Sequence, residues 1–212
     1  MRILIFGATG LVGRDVLKLA LADARVTAVI APTRRGLSQQ PKLQAPVVNF
    51  DKLPEDVPWW QADALICALG TTMRVAGSKQ AFRRVDYEYP LAVARCAKKH
   101  GVRTYVLNSS LGANPAARSF YLQVKGETER DLASLDFASL TYVRPGLIGG
   151  ERDEFRPAEQ IMMPVLTLLG PLLPKSWRIN PAPTIARALL EAAIAAEPGK
   201  HIITSDRLTG LP

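Results

Sequence analysis

The stretch Ile3-Leu4-Ile5-Phe6-Gly7-Ala8-Thr9-Gly10-Leu11-Val12-Gly13 decides the fold. Its four apolar residues predict a buried strand, and the spacing of apolar residues after Gly10 predicts a helix over residues 11–22. Glycines at such a turn let a phosphate approach the backbone, and the helix N-terminus adds free N–H groups and a positive dipole. The stretch therefore predicts a βαβ unit that binds a dinucleotide at the turn formed by Gly7, Ala8, Thr9, Gly10, Leu11, Val12 and Gly13.

Strand-length apolar runs alternate with helical patterns along most of the chain. This alternation predicts an α/β fold with a doubly wound, mostly parallel sheet, the Rossmann fold. Without a low-complexity linker, residues 1–212 are expected to form one domain, in which the irregular, proline-rich residues 147–183 form a small C-terminal substrate cap. The predicted strands are 2–6, 25–30, 46–50, 63–69, 102–108, 137–143 and 201–204, and the predicted helices are 11–22, 80–99, 119–134 and 184–197, the last capped by Thr184.

Composition excludes several classes of protein. The two cysteines lack metal-ligand spacing, so we expect no disulfide framework, no metal and a reducing, cytoplasmic location. The apolar run at 161–173 is too short and too rich in proline to span a membrane, and because a strand is predicted from near Ile3 we expect no export signal. The net charge of +8 lies entirely in residues 1–106. Because the glycine turn lies in the same half, a nucleotide is a more specific anionic partner than nucleic acid, which we consider unlikely.

The end of the second predicted strand indicates which dinucleotide binds. NAD sites usually place an acidic residue there for the ribose 2′-hydroxyl, but this chain reads Ala31-Pro32-Thr33-Arg34-Arg35. Arg34, helped by Arg35 and Thr33, would suit the extra phosphate of NADP(H), although a solvated arginine pair is the alternative. Asp51 is placed to accept a hydrogen bond from the adenine amino group, or it is a plain surface residue.

A catalytic set follows the fifth predicted strand. Ser109 lies at the carboxyl edge of the sheet, where ligands of open α/β folds bind. Tyr121 and Lys125 are four residues apart on one helical face, so the phenol and the ammonium can both point into the cleft. A neighbouring cation favours the phenolate, so Tyr121 could protonate a carbonyl oxygen that Ser109 holds. The alternative is a core tyrosine beside an exposed lysine.

Four segments carry a resemblance to a known family: Ala68–Thr72, Ser109–Ala113, Tyr121–Glu127 and Val143–Gly146. Together with the glycine turn they resemble the atypical branch of the short-chain dehydrogenase/reductase superfamily, and more narrowly its Tat-interacting-protein oxidoreductase group. The resemblance covers nearly the whole chain.

The resemblance implies roles for individual residues. Tyr121 would be the proton-acceptor tyrosine of the family, and Lys125 would be its lysine, which also holds the nicotinamide ribose. Ser109 matches the family serine, although its spacing to Tyr121 leaves Ser110 possible. Many relatives carry Asn in the helix after strand four, where this chain has Asp86. The resemblance also implies that the turn formed by Leu69, Gly70 and Thr71 would flank the adenosine ribose. The segment that contains Pro145 and Leu147 would run past the nicotinamide.

The sequence thus predicts an NADPH-dependent oxidoreductase that reduces a carbonyl or related group on a small, apolar substrate, as a monomer or a homodimer. The alternative is a regulatory or redox-sensing protein that binds NADP(H) with little or no turnover. Fold and cofactor do not decide between the two.

Overall fold

The first strand is buried on both of its faces. Ile3 and Ile5 enter one hydrophobic core, and Leu4 and Phe6 enter the other. Because alternate side chains of a strand point to opposite faces, four apolar residues in a row place this strand in the middle of a sheet that is covered on both sides.

The computed structural model describes residues 1–149 and 179–208. Within them, seven parallel strands pair in the order β3-β2-β1-β4-β5-β6-β9, and β7 pairs with β8 in a separate ladder. The strands are β1 (Arg2–Phe6), β2 (Ala28–Ile30), β3 (Leu43–Gln44), β4 (Ala64–Cys67), β5 (Thr104–Asn108), β6 (Ser139–Arg144), β7 (Ile148–Gly149), β8 (Asn180–Pro181) and β9 (Gly199–Thr204).

Helices cover both faces of this sheet. The first core packs α1 and α6 against one face, and the second packs α4 and α5 against the other. The predicted doubly wound Rossmann fold is therefore confirmed. The helices are α1 (Leu11–Ala22), α2 (Met73–Ala76), α3 (Lys79–Arg83), α4 (Tyr89–Lys99), α5 (Phe120–Ala133), α6 (Ala182–Ala195) and α7 (Ser205–Leu208), with a π-helical turn at Arg84–Glu88 between α3 and α4.

The order of the strands fixes where a ligand can bind. The chain runs outward from β1 through β2 and β3, and then returns to pair β4 with the other side of β1. The connections after β1 and β4 therefore leave in opposite directions, and the crevice between them is the place where ligands of such sheets bind.

Several predicted elements are wrong in detail, among them the second strand, which begins at Ala28 rather than at residue 25. The strand expected at 46–50 is absent: β3 pairs earlier, and Asn49 instead caps a 3-10 turn at Phe50–Lys52 by accepting from the Asp51 N–H. The helix expected at 80–99 is interrupted by the π-helical turn. The last long helix begins at Ala182 rather than after Thr184, because a proline is tolerated in the first turn of a helix, where its missing N–H costs nothing.

The predicted cap lies mostly outside the described residues. Its two described ends pair with each other, Ile148 with Asn180 and Gly149 with Pro181. The proposed role of residues 147–183 stays a prediction, as does the treatment of residues 1–212 as one domain.

Candidate active site

The glycine turn has the close packing that its spacing predicts. Gly7 has φ +88°, and a Cβ on it would lie 2.5 Å from the carbonyl carbon of Ala68, just after β4. A Cβ on Gly13 would lie 1.9 Å from the Gly7 carbonyl oxygen. Glycine is therefore required at both positions, because the turn presses against β4 on one side and against α1 on the other.

The same turn leaves a place for an anion. Gly10 is exposed and caps α1, and its own N–H is held by the Gly7 carbonyl at 2.9 Å. As a glycine it brings no side chain to the N–H groups of the first helical turn, which has no acidic residue either. Those N–H groups and the helix dipole fit the pyrophosphate of a dinucleotide.

The arginine pair after β2 is exposed. The Thr33 hydroxyl donates to the Arg35 carbonyl at 2.6 Å, which closes the turn that carries Arg34. Within residues 1–149 and 179–208, no ion pair holds either guanidinium. Both arginines are therefore available to a phosphate, whereas the Thr33 hydroxyl has already used its one hydrogen.

Asp51 lies in the 3-10 turn rather than after a strand. Its Oδ1 accepts from the Tyr89 hydroxyl at 2.8 Å and lies 4.0 Å from Arg84 Nε. Burial and the hydrogen bond to Asp51 both raise the pKa of Tyr89, so the phenol remains the donor. The Tyr89 hydroxyl thus holds Oδ1, and no hydrogen bond from residues 1–149 or 179–208 reaches the second oxygen.

Tyr121 and Lys125 come together as the helical spacing predicts. Both lie on α5, and Lys125 Nζ lies 6.0 Å from the centre of the Tyr121 ring. The ring packs against the buried Phe82 of α3, with centroids 5.6 Å apart. Tyr121 itself is only partly buried, so it borders the crevice.

Lys125 is buried and ion-paired. Its Nζ lies 2.8 Å from Oδ1 of Asp86, whose side chain is 1% exposed. Burial alone would lower the pKa of Lys125, but the negative charge of Asp86 outweighs it and raises the pKa above its usual value. The lysine is therefore a stable ammonium. The sequence showed Asp86 only as a departure from the family pattern, because its partner is 39 positions away.

The two candidate serines differ in what their hydroxyls do. Ser109 is 4% exposed, and its Oγ donates to Glu129 Oε1 at 2.5 Å. Since a hydroxyl has one hydrogen, that donor is committed. Ser110 is partly exposed, and the only contact described for its hydroxyl is a long one, 3.4 Å, to the Leu111 carbonyl.

Glu129 links three segments of the site. Besides Ser109, its carboxylate binds the Arg144 guanidinium through both oxygens, and its carbonyl accepts from the Tyr142 hydroxyl at 2.5 Å. Glu129 follows Lys125 by four residues, so Tyr121, Lys125 and Glu129 share one helical face. Sequence reasoning missed this residue, although its spacing was a usable signal.

The loop after β5 is pressed onto α5. A Cβ on Gly126 would lie 2.2 Å from the carbonyl carbon of Asn114, and the Asn114 N–H donates to the Leu122 carbonyl at 3.1 Å. This contact holds the loop that carries Ser110 against the helix that carries Tyr121.

The remaining predicted residues lie on two segments beside the pair. Thr71 N–H donates to Asp86 Oδ2 at 2.8 Å, so the turn of Leu69, Gly70 and Thr71 is tied to the lysine. Across the site, Pro145 accepts from the Leu111 N–H at 2.8 Å, and Leu147 is half exposed.

Asn180 is fully buried and fixes the Pro145–Leu147 segment. Its side-chain oxygen accepts from the Gly146 N–H at 2.7 Å, and its own N–H donates to the Leu147 carbonyl at 2.8 Å. Nothing in the sequence pattern marked this residue, because its partners come from distant segments.

Two kinds of feature are absent from the residues that the structure describes. Among them, no cluster of His, Cys, Asp and Glu could hold a metal ion. Within the same ranges, every helix is too short or too polar to cross a membrane.

Known proteins match the chain along most of its length. The family model described as NAD(P)H-binding matches residues 7–159. Protein HTATIP2 of Rattus norvegicus is 36% identical over 206 residues, which cover 93% of this chain and 83% of that protein. Protein fmp52, mitochondrial, of Aspergillus fumigatus is 34% identical over 219 residues, covering 96% and 92%. The structure of MoeE5 with UDP-glucose and NAD superposes with a TM-score of 0.74 at 16% identity, covering 99% of this chain and 80% of that one.

The relatives correct one expectation. Fungal FMP52 proteins, including those of Eremothecium gossypii and Debaryomyces hansenii, are named as mitochondrial, so the predicted cytoplasmic location is contradicted. A low cysteine content indicates a reducing environment and not a particular compartment.

The resemblance to the Tat-interacting-protein group is confirmed by the HTATIP2 match, and the fold matches that of NAD-dependent epimerase and dehydratase structures. The chain therefore belongs to the NAD(P)H-binding family and is a relative of HTATIP2 and FMP52.

Proposed function

We propose that this protein is an NADP(H)-dependent oxidoreductase that reduces a carbonyl or related group on a small, apolar substrate. The observation that carries the proposal is the pairing of Tyr121 with the buried ammonium of Lys125, beside an anion-binding glycine turn. Family membership supports a nicotinamide cofactor. The choice of NADP(H) and the catalytic roles rest on the residues themselves.

The residues at the adenosine end fit NADP(H). The glycine turn would hold the pyrophosphate, and Arg34 with Arg35 would bind the 2′-phosphate, for which a guanidinium offers paired donors. Asp51 would accept from the adenine amino group with the oxygen that Tyr89 leaves open. No carboxylate follows β2 to hold a 2′-hydroxyl, since the residues there are Ala31-Pro32-Thr33.

Arg34→Ala is expected to weaken the binding of NADPH much more than the binding of NADH. Its loss should raise the Kd of NADPH about 10- to 100-fold, because a charged hydrogen bond to the 2′-phosphate disappears. The Kd of NADH should change by less than about threefold, because NADH lacks that phosphate. Titration of the intrinsic tryptophan fluorescence measures both constants.

Arg95→Ala is the matched control for Arg34→Ala, because Arg95 is an exposed arginine on α4. If Arg34→Ala lowers the affinities for NADPH and NADH equally, Arg34 does not bind the 2′-phosphate.

The chemistry divides among three side chains. When bound, NADPH supplies the hydride. Tyr121 donates a proton to the carbonyl oxygen of the substrate, and the ammonium of Lys125 stabilises the negative charge that remains on the phenol. A serine hydroxyl donates to the same oxygen and holds it in place. We assign this role to Ser110, because the hydrogen of Ser109 is already donated to Glu129.

The two serines should therefore respond differently to replacement. Ser110→Ala should lower kcat about 10²- to 10³-fold, as the loss of an oxyanion donor does. Ser109→Ala should leave kcat within about threefold and lower the free energy of unfolding by about 1–3 kcal/mol, because a buried bond to a carboxylate is lost. Steady-state kinetics and chemical denaturation test both; the reverse pattern would return the role to Ser109.

The apolar character of the substrate is supported by Leu147. This side chain is 50% exposed and belongs to the segment proposed to pass the nicotinamide. An exposed leucine at a reacting centre favours an apolar neighbour over a charged one.

The function is tested with purified protein, NADPH and a panel of aldehydes, ketones and conjugated carbonyl compounds. We expect loss of NADPH absorbance with at least one apolar member of the panel. Tight binding of NADPH without turnover of any member would instead support a regulatory or redox-sensing protein.

A further inference from the structure

Asp86 lies where the helical segment between Lys79 and Lys99 departs from α-helical geometry. The π-helical turn Arg84–Glu88 carries it, and such turns insert an extra residue and often occur at functional sites. Its carbonyl oxygen lies 2.9 Å from the Thr128 hydroxyl of α5, which also lies 2.8 Å from the Val124 carbonyl oxygen, so the turn is in contact with α5. The break therefore delivers a carboxylate into the interior between two helices.

Each oxygen of this carboxylate has a different partner. Oδ1 lies 2.8 Å from Lys125 Nζ, and Oδ2 accepts from the Thr71 N–H at 2.8 Å. Lys125 lies on α5, and Thr71 lies on the turn after β4. One buried side chain thus connects two segments that come from different parts of the chain.

This connection lies at the edge of the crevice. A Cβ on Gly70 would lie 3.4 Å from Asp86 Oδ1 and 3.8 Å from Lys125 Nζ, so the ion pair lies directly beneath an exposed glycine. An ammonium has three hydrogens, and a single contact with Asp86 leaves others to face a ligand.

We propose that Asp86 is a positioning residue, which holds the Lys125 ammonium and the Thr71 amide at a fixed separation and so joins the two ends of the cofactor site. The inference rests on the proposed function, since both partners are assigned there to the cofactor. It gives the two oxygens separable tasks: Oδ1 keeps the lysine charged and directed, and Oδ2 holds the turn.

The charge of Asp86 is what allows an ammonium to be buried here. A buried amine without a counter-charge loses its proton at a lower pH than an exposed one. In the described part of the chain, the titratable groups that act on Nζ are Asp86 from the π-helical turn, Tyr121 from its own helix and Cys67 from β4. Asp86 is the one among them in direct contact with the ammonium, because its Oδ1 lies 2.8 Å from Nζ.

Asp86→Asn separates the two tasks. The amide oxygen of asparagine can still accept from the Thr71 N–H, but the negative charge beside Lys125 is gone. At about pH 6 the Kd of NADPH for the variant should be within about threefold of the wild-type Kd. The ratio of the variant Kd to the wild-type Kd should rise at least about tenfold by about pH 9, because the ammonium of the variant loses its proton. The ratio is used because any titration of NADPH itself affects both proteins equally.

Asp86→Ala removes both tasks. It should raise the Kd of NADPH at least about tenfold already at about pH 6, because the Thr71 turn loses its acceptor. Asp131→Asn is the matched control, since its carboxylate is held by Tyr87 and Arg130 outside the site. The control should match wild type at every pH.

A double variant covers the case in which Asp86→Asn does not fold. Asp86→Asn with Lys125→Met removes both charges of the pair, and its Kd for NADPH should equal that of Lys125→Met alone within about twofold, because asparagine still holds Thr71. A further tenfold loss would contradict the proposed division of tasks.

These readouts need no turnover. If wild type binds NADPH and both Asp86 variants bind it equally well with the same pH dependence, the inference about Asp86 is wrong while the proposed function stands. If wild type does not bind NADPH at all, the proposed function fails first.

Discussion

Tyr121→Phe should lower kcat about 10²- to 10⁴-fold while NADPH still binds with its wild-type affinity. The change removes one hydroxyl and keeps the ring that packs against Phe82, so the helix should remain in place. Without the phenol, the carbonyl oxygen of the substrate lacks its proton donor. Turnover of the best substrate from the carbonyl panel, measured beside a fluorescence titration with NADPH, checks both halves of this expectation.

Tyr87→Phe is the matched control for Tyr121→Phe. Its hydroxyl donates to Asp131 at 2.7 Å, and neither residue is among those proposed to bind the cofactor or the substrate. It should leave kcat within about threefold, because the hydrogen bond that is lost joins two residues without a proposed role in the reaction. Wild-type turnover in Tyr121→Phe would remove the tyrosine from the mechanism.

Gly13→Ala should disrupt the cofactor site and the fold around it. The added Cβ would lie 1.9 Å from the Gly7 carbonyl oxygen and 2.7 Å from its carbonyl carbon, and neither is the end of a flexible side chain. Helix α1 must therefore move away from the turn. We expect a loss of about 1–3 kcal/mol or more in the free energy of unfolding, together with loss of NADPH binding.

Gly36→Ala is the control for this change. A Cβ at Gly36 meets nothing within 4 Å, so its stability should match that of wild type. Denaturation curves and NADPH titrations of the two variants give the comparison. If Gly13→Ala binds NADPH normally, the close approach of α1 to the turn is not required for binding.

Local pattern was sufficient for the centre of the fold. Consecutive apolar residues, the glycine spacing and the helix that follows are all encoded within residues 3–22, so β1, the turn and α1 were predicted at their observed places. The same holds for Tyr121 and Lys125, because the geometry of one helix fixes their relation.

Contacts between distant segments were beyond that kind of reasoning. The strand expected at 46–50 does not form, because the Asn49 side chain caps a 3-10 turn there. The apolar run alone does not show that a side chain can replace strand pairing in this way. The pairing of Asp86 with Lys125 depends on how the π-helical turn packs against α5. The proposed choice of Ser110 over Ser109 depends on Glu129, which accepts the hydrogen bond of the Ser109 hydroxyl.

The central claim is that NADP(H) lies with its pyrophosphate on the glycine turn and its nicotinamide beside Tyr121. A crystal structure of the protein with NADPH tests it most directly. The account predicts pyrophosphate oxygens on the backbone N–H groups between Ala8 and Val12, and the phenol of Tyr121 facing the nicotinamide. NADPH bound elsewhere, or a Tyr121 hydroxyl that faces away from the nicotinamide, would contradict it.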